Sequence, residues 1–105
     1  MSEQTYWAIE IVDYTSKVRP IGSGDFLEYY PNEGGVAEIL FTDEERARGY
    51  ARQVVDTEHN EWRLMPVPEG ELTSFIEMSV RKKTHVLIDP EHGDEERALQ
   101  PIARN

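Results

Sequence analysis

The 105-residue chain predicts an α+β fold, a single domain over residues 1–105 built as a two-layer sandwich of a mixed four- to five-stranded sheet and two helices. Three features carry that expectation. Val36-Ala37-Glu38-Ile39-Leu40-Phe41 is a strand-like apolar run that passes straight into Thr42-Asp43-Glu44-Glu45-Arg46-Ala47-Arg48-Gly49-Tyr50, the opening of a helix. Leu72, Phe75, Ile76 and Val80 recur at the three-and-four spacing of a second amphipathic helix. Runs rich in β-branched and aromatic residues at Tyr6 to Val12 and Trp62 to Val67, with the apolar Val86-Leu87-Ile88, read as strands around them.

Along the chain, Tyr6 to Val12 forms the first strand, with Trp7, Ile9 and Ile11 alternating onto one face. Residues Asp13 to Asp25 carry Pro20, Gly22, Ser23 and Gly24 and predict a long connection. Phe26 to Tyr30 is a short strand. Pro31-Asn32-Glu33-Gly34-Gly35 then turns the chain, its glycines taking positive φ without steric cost, and makes a hairpin with the strand at Val36 to Phe41. Thr42 and Glu45 have the spacing of a capping box, so the first helix runs from about Asp43 to about Asp56. Its buried stripe is Ala47, Tyr50, Ala51, Val54 and Val55, with Arg52 on the solvated side.

Pro66 lacks an amide hydrogen and places the strand Trp62 to Val67 at a sheet edge or near a strand end. The second helix runs from about Glu69 to about Arg81, where Arg81, Lys82 and Lys83 complement the partial negative charge of a helix C-terminus. Asp89-Pro90 ends the last apolar strand, Glu91 to Glu96 is a polar loop, and Ala98 to Ile102 returns to the core. Two right-handed crossovers on the same side place both helices on one face and leave the other sheet face open as a binding surface.

Composition narrows the function. Asp+Glu 21 against Lys+Arg 11 gives a formal net charge of -10, which repels nucleic acid and anionic lipid and favours a protein partner with a basic surface. The absence of cysteine excludes disulfides, thiolate metal sites and thiol nucleophiles. Met1-Ser2-Glu3-Gln4 lacks the start of a signal peptide and no apolar run is long enough for a membrane span, so a cytoplasmic protein without a membrane partner is expected.

Candidate chemistry is sparse. His85, Asp89, Glu91 and His92 offer imidazole and carboxylate ligands of the kind zinc accepts, without a diagnostic metal spacing; His59 stands apart. Gly22-Ser23-Gly24 lacks the Lys-Ser/Thr and the helix of a phosphate loop, and Asp25 places a negative charge beside it. Ser16, Ser23, Ser74 and Ser79 sit in no nucleophile elbow. Tyr29 and Tyr30 are adjacent strand residues that point to opposite faces, so one ring is a candidate for an exposed interaction surface. No catalytic residue and no cofactor is expected.

From Ile39 to Ile102 the pattern resembles the N-terminal domain of SseB-type proteins, the bacterial enhanced-serine-sensitivity family. The likeness lies in the apolar strand running into Phe41-Thr42-Asp43-Glu44, a helix with Ala47, Met65-Pro66-Val67-Pro68, a helix with Leu72, and Val86-Leu87-Ile88-Asp89-Pro90. Such domains often carry Asn-Pro after the last strand where this chain has Asp89-Pro90. The resemblance implies a compact α/β module and carries over no functional residue. The expectation is a small acidic protein-interaction or regulatory module without catalytic activity. The alternatives are a small-molecule or metal-ion-binding domain and an acidic immunity, inhibitor or nucleic-acid-mimic protein.

Overall fold

Alternation of Trp7, Ile9 and Ile11 holds in a long strand β1 (Thr5–Asp13), which pairs antiparallel along its whole length with β5 (Asn60–Pro68), from Thr5 opposite Pro68 to Asp13 opposite Asn60. The structure, a computed structural model, describes residues 3–13, 25–56, 58, 60–78 and 82–102. The expected connection through Pro20 and Gly22-Ser23-Gly24, with Ser16, lies outside them, as do His59 and the expected end of the second helix at Ser79, Val80 and Arg81.

The short strand expected over Phe26 to Tyr30 serves two sheets. β2 (Asp25–Phe26) pairs with β1, the Leu27 N–H donates to the Ile9 carbonyl at 2.8 Å, and β3 (Glu28–Tyr29) then pairs with β4 (Ala37–Leu40). β4 runs parallel to β6 (His85–Ile88), which takes β7 (Leu99–Pro101) antiparallel on its other side. The strand orders are therefore β2-β1-β5 and β3-β4-β6-β7, the second being the mixed four-stranded sheet. Reciprocal backbone bonds between Trp7 and Phe41, at 2.7 and 3.0 Å, join the two sheets. With helices α1 (Glu44–Val54) and α2 (Leu72–Glu77), the fold is α+β. β5 lies at the edge of its sheet in the order β2-β1-β5, a position that tolerates the missing amide hydrogen of Pro66.

Three local expectations are corrected. Asp43, not Thr42, caps α1: its carboxylate accepts the Arg46 N–H at 3.1 Å. Among the described residues only β4 and β6 are parallel, because β5, which lies between the helices in sequence, leaves to pair with β1. The helices also cover opposite faces. Ala47, Tyr50 and Ala51 of α1 pack with Ile9, Ile39 and Leu87, whereas Leu72 and Phe75 of α2 pack with Ala8, Leu40 and Val67. Neighbouring strand residues point to opposite sides, so every residue of β4 is buried and no open sheet face remains there.

The side facing α2 buries charge. Lys83, expected on a helix end, is instead 2% exposed and pairs with both Glu28 and Glu38, which lie opposite each other across β3 and β4. On the neighbouring sheet, Glu10 is 0% exposed and binds the Arg63 guanidinium at 2.5 Å. Glu10, Glu28 and Glu38 against Lys83 and Arg63 leave one negative charge in excess among these five residues. Burial pushes the Glu38 carboxyl from 4.5 up to about 8, against a backbone bond that lowers it, and burial also lowers Lys83. Among the described residues the Glu38 Oε1 atom has no hydrogen-bond partner, and a proton on Glu38 removes its buried charge.

The folded chain thus holds a proton that the unfolded chain releases near 4.5, so the stability it contributes is complete below that value and lost as pH rises through about 8. Urea melts across this range should show Glu38→Gln gaining on the wild type, at up to about 1.4 kcal/mol per pH unit. Parallel stability curves for the two proteins would show that Glu38 takes up no proton on folding.

Candidate functional site

β4 and β6 end side by side, and the chain leaves them in different directions, into α1 and into the segment Asp89-Pro90-Glu91-His92. Such a divergence at the carboxyl ends of parallel strands opens a crevice. Asp89 sets its base. Its φ of 52° is a left-handed value that aspartate tolerates better than most residues, and its N–H donates to the Leu40 carbonyl at 2.9 Å. In this pose its carboxylate accepts the Thr42 N–H at 2.9 Å and the Thr42 hydroxyl at 2.7 Å. Thr42 therefore ties β4 to β6.

The crevice is an open cleft of about 370 Å³. Its helix wall is Arg46, Gly49, Tyr50 and Gln53, a single stripe of α1 at the three-and-four spacing. The opposing wall is Asp89 to His92, and Phe41 closes the inner end. The His92 ring meets Tyr50 edge-on at 6.3 Å. Glu95, in a turn of 3₁₀ helix (Glu95–Ala98), locks this arrangement: it accepts the Tyr50 hydroxyl at 2.8 Å and the Gly93 N–H at 2.8 Å, with His92 Nδ1 at 3.6 Å. Burial works to raise Glu95, but these donors hold its carboxyl below the ordinary value. Burial first, and then the Glu95 carboxylate, push the Tyr50 hydroxyl far above its ordinary value.

Of the sequence-predicted residues, Asp89, Glu91 and His92 gather at the cleft. His85 does not. It sits at the far end of β6, roughly 10 Å of strand away, with Nδ1 2.8 Å from the Thr84 hydroxyl. Asp89 is engaged by Thr42, and among the described residues no group of three or more His, Cys, Asp or Glu is placed to hold a metal. Tyr30 is 55% exposed, while Tyr29 packs against the α1 side of the core, so the two rings do point to opposite sides.

Arg46, Gly49 and Gln53 escaped the sequence reading because they share a helix with an obvious core stripe. Among the described residues the side chains of Arg46, Gln53 and Glu91 make no hydrogen bond or ion pair, so the cleft offers a guanidinium, an amide and a carboxylate not engaged by the fold. Gly49 is the overlooked signal. Glycine in a helix interior is costly, and a Cβ there would meet nothing within 4 Å, so packing does not require it.

No family model, curated protein or solved structure matches the chain. Among the described residues no helix is long and apolar enough to cross a membrane. Because nothing occupies the space over Gly49, Gly49→Ala should raise stability by about 0.5–1 kcal/mol in denaturant melts. A loss of stability would mean that glycine is required by the fold after all.

Proposed function

We propose that this chain is a small acidic protein-interaction module without catalytic activity, which receives its partner at the cleft between α1 and residues 89–92. The observation that carries this reading is the set of uncommitted polar groups around an open depression, with a glycine in its helix wall that packing does not explain. An enclosed pocket buries most of a small ligand; an open depression suits a protruding protein segment better. The net charge of -10 favours a partner whose wider surface is basic and speeds encounter with it.

A cytoplasmic setting and kinship with SseB-type domains belong to the same proposal. The metal-binding alternative is weakened by the separation of His85 from the other three candidate ligands. Exposed carboxylates lie on α1, on β5 and in the 89–94 segment, as Glu45, Glu61, Glu91 and Asp94, and this spread does not favour a nucleic-acid mimic, which needs one acidic face.

The test is a photo-reactive residue placed at Gln53, with a control at Glu77 on the opposite side of the sheet, in the native cells. A discrete protein adduct should form from position 53 and not from 77, and should weaken as salt is raised. Equal adducts from both positions, or none, would reject the cleft as the docking site.

A further inference from the structure

The two walls of the cleft carry opposite charge. Arg46 projects from α1, and Glu91 from the facing segment. The walls run in the same direction, since Asp89 is bonded to Thr42 at the start of the helix and His92 lies against Tyr50 two turns further on. From Arg46 to Gln53 the helix wall rises through seven residue steps, about 10 Å at the rise of an α-helix, which is the length of about three extended residues. Between these ends lies Gly49, where the absence of a side chain lets another backbone approach the helix closely.

An extended chain lying in this trench directs successive side chains to opposite sides. One side meets the Arg46 guanidinium and the other meets Glu91. We infer that the cleft binds a short extended segment of a partner protein in which an acidic and a basic residue are adjacent, its backbone crossing over Gly49. This rests on the protein-interaction reading above and adds the chemistry of the segment. A purely basic segment would place a cation against Arg46, and a purely acidic one would place an anion against Glu91, so each mispairs with one wall. Gln53 adds an amide able to donate to, and accept from, the segment's backbone.

The probe is the capped peptide Ala-Ala-Glu-Lys-Ala-Ala, compared with its Glu-Glu and Lys-Lys counterparts and titrated into the ¹⁵N-labelled chain. Amide shifts should concentrate at Gly49, Gln53 and His92, and the mixed peptide should bind about fivefold more tightly than either counterpart, the scale of one exposed charge pair. Arg46→Glu makes both walls acidic and should transfer the preference to the Lys-Lys peptide. Glu91→Arg places a cation on each wall, the Asp89 carboxylate staying engaged by Thr42, and should transfer it to the Glu-Glu peptide. Both positions are exposed, so thermal melts of these variants should match the wild type. Gly49→Ala should weaken all three peptides while the fold holds.

Equal binding of the three peptides, or preferences that do not move with the wall charges, would overturn the inference. So would free glycine producing the same amide shifts at the same concentration, because the cleft would then be a site for a small dipolar molecule. An adduct from position 53 with no charge preference rejects the alternating segment and keeps the interaction reading. A switching preference without any adduct keeps the segment chemistry and rejects the native partner at this cleft.

Discussion

The clasp between Asp89 and Thr42 is the interaction on which the cleft depends. β4 and β6 share only four residues each, and parallel strands have no tight hairpin between them to hold their ends in place. Here both ends are tied. At one end the Thr84 N–H donates to the Val36 carbonyl at 2.8 Å, beneath a turn where Gly35, at φ 92°, has no room for a Cβ against Thr84. At the other end one carboxylate takes two donors from Thr42. That second tie sets the start of α1 against the start of the 89–92 segment, and both cleft walls follow from it. The left-handed backbone at Asp89 is the local cost of aiming the carboxylate at β4.

The buried charges act on a different link, the choice of register. Glu10, Glu28 and Glu38 all point to the α2 side, where Arg63 takes Glu10 and Lys83 is shared by Glu28 and Glu38. A one-residue slip of any of these strands would turn its carboxylate toward the apolar cluster under α1, away from Lys83 or Arg63. Stability is a weak reason to bury such pairs, since the desolvation of both partners offsets much of their attraction. Pairing short strands correctly is a stronger one. β3 and β4 are held by only two residue pairs, Glu28 with Glu38 and Tyr29 with Ala37.

Much of the fold was legible in local pattern. The alternation of Trp7, Ile9 and Ile11, the glycine turn before Val36, the buried stripe of α1 and the edge position implied by Pro66 all rest on periods and backbone constraints that act within one segment. Misreadings arose where a non-local contact overrode a local rule. Thr42 has the spacing of a helix cap, but Asp89 engages its hydroxyl, and Asp43 caps the helix instead. Lys83 follows a helix and matches a favourable terminal charge, yet two buried carboxylates draw it inward. His85 and Asp89 are near in sequence, but an extended strand separates its ends faster than any other element. Half of the proposed site shows in the sequence through the ligand chemistry of Asp89, Glu91 and His92. The other half was hidden, because Arg46 and Gln53 read as ordinary solvated helix residues until the facing wall is known.

The most direct measurement of the central claim is a double-mutant cycle on the clasp, with Thr42→Ala, Asp89→Ala and the double variant compared by denaturant unfolding. If the carboxylate and the threonine hold β4 and β6 together, the two losses should overlap, with a coupling of about 1–2 kcal/mol, as expected for a charge-assisted pair. Losses that simply add, with a coupling within about 0.3 kcal/mol of zero, would show that the strand ends are held by something else and that the cleft does not depend on Asp89.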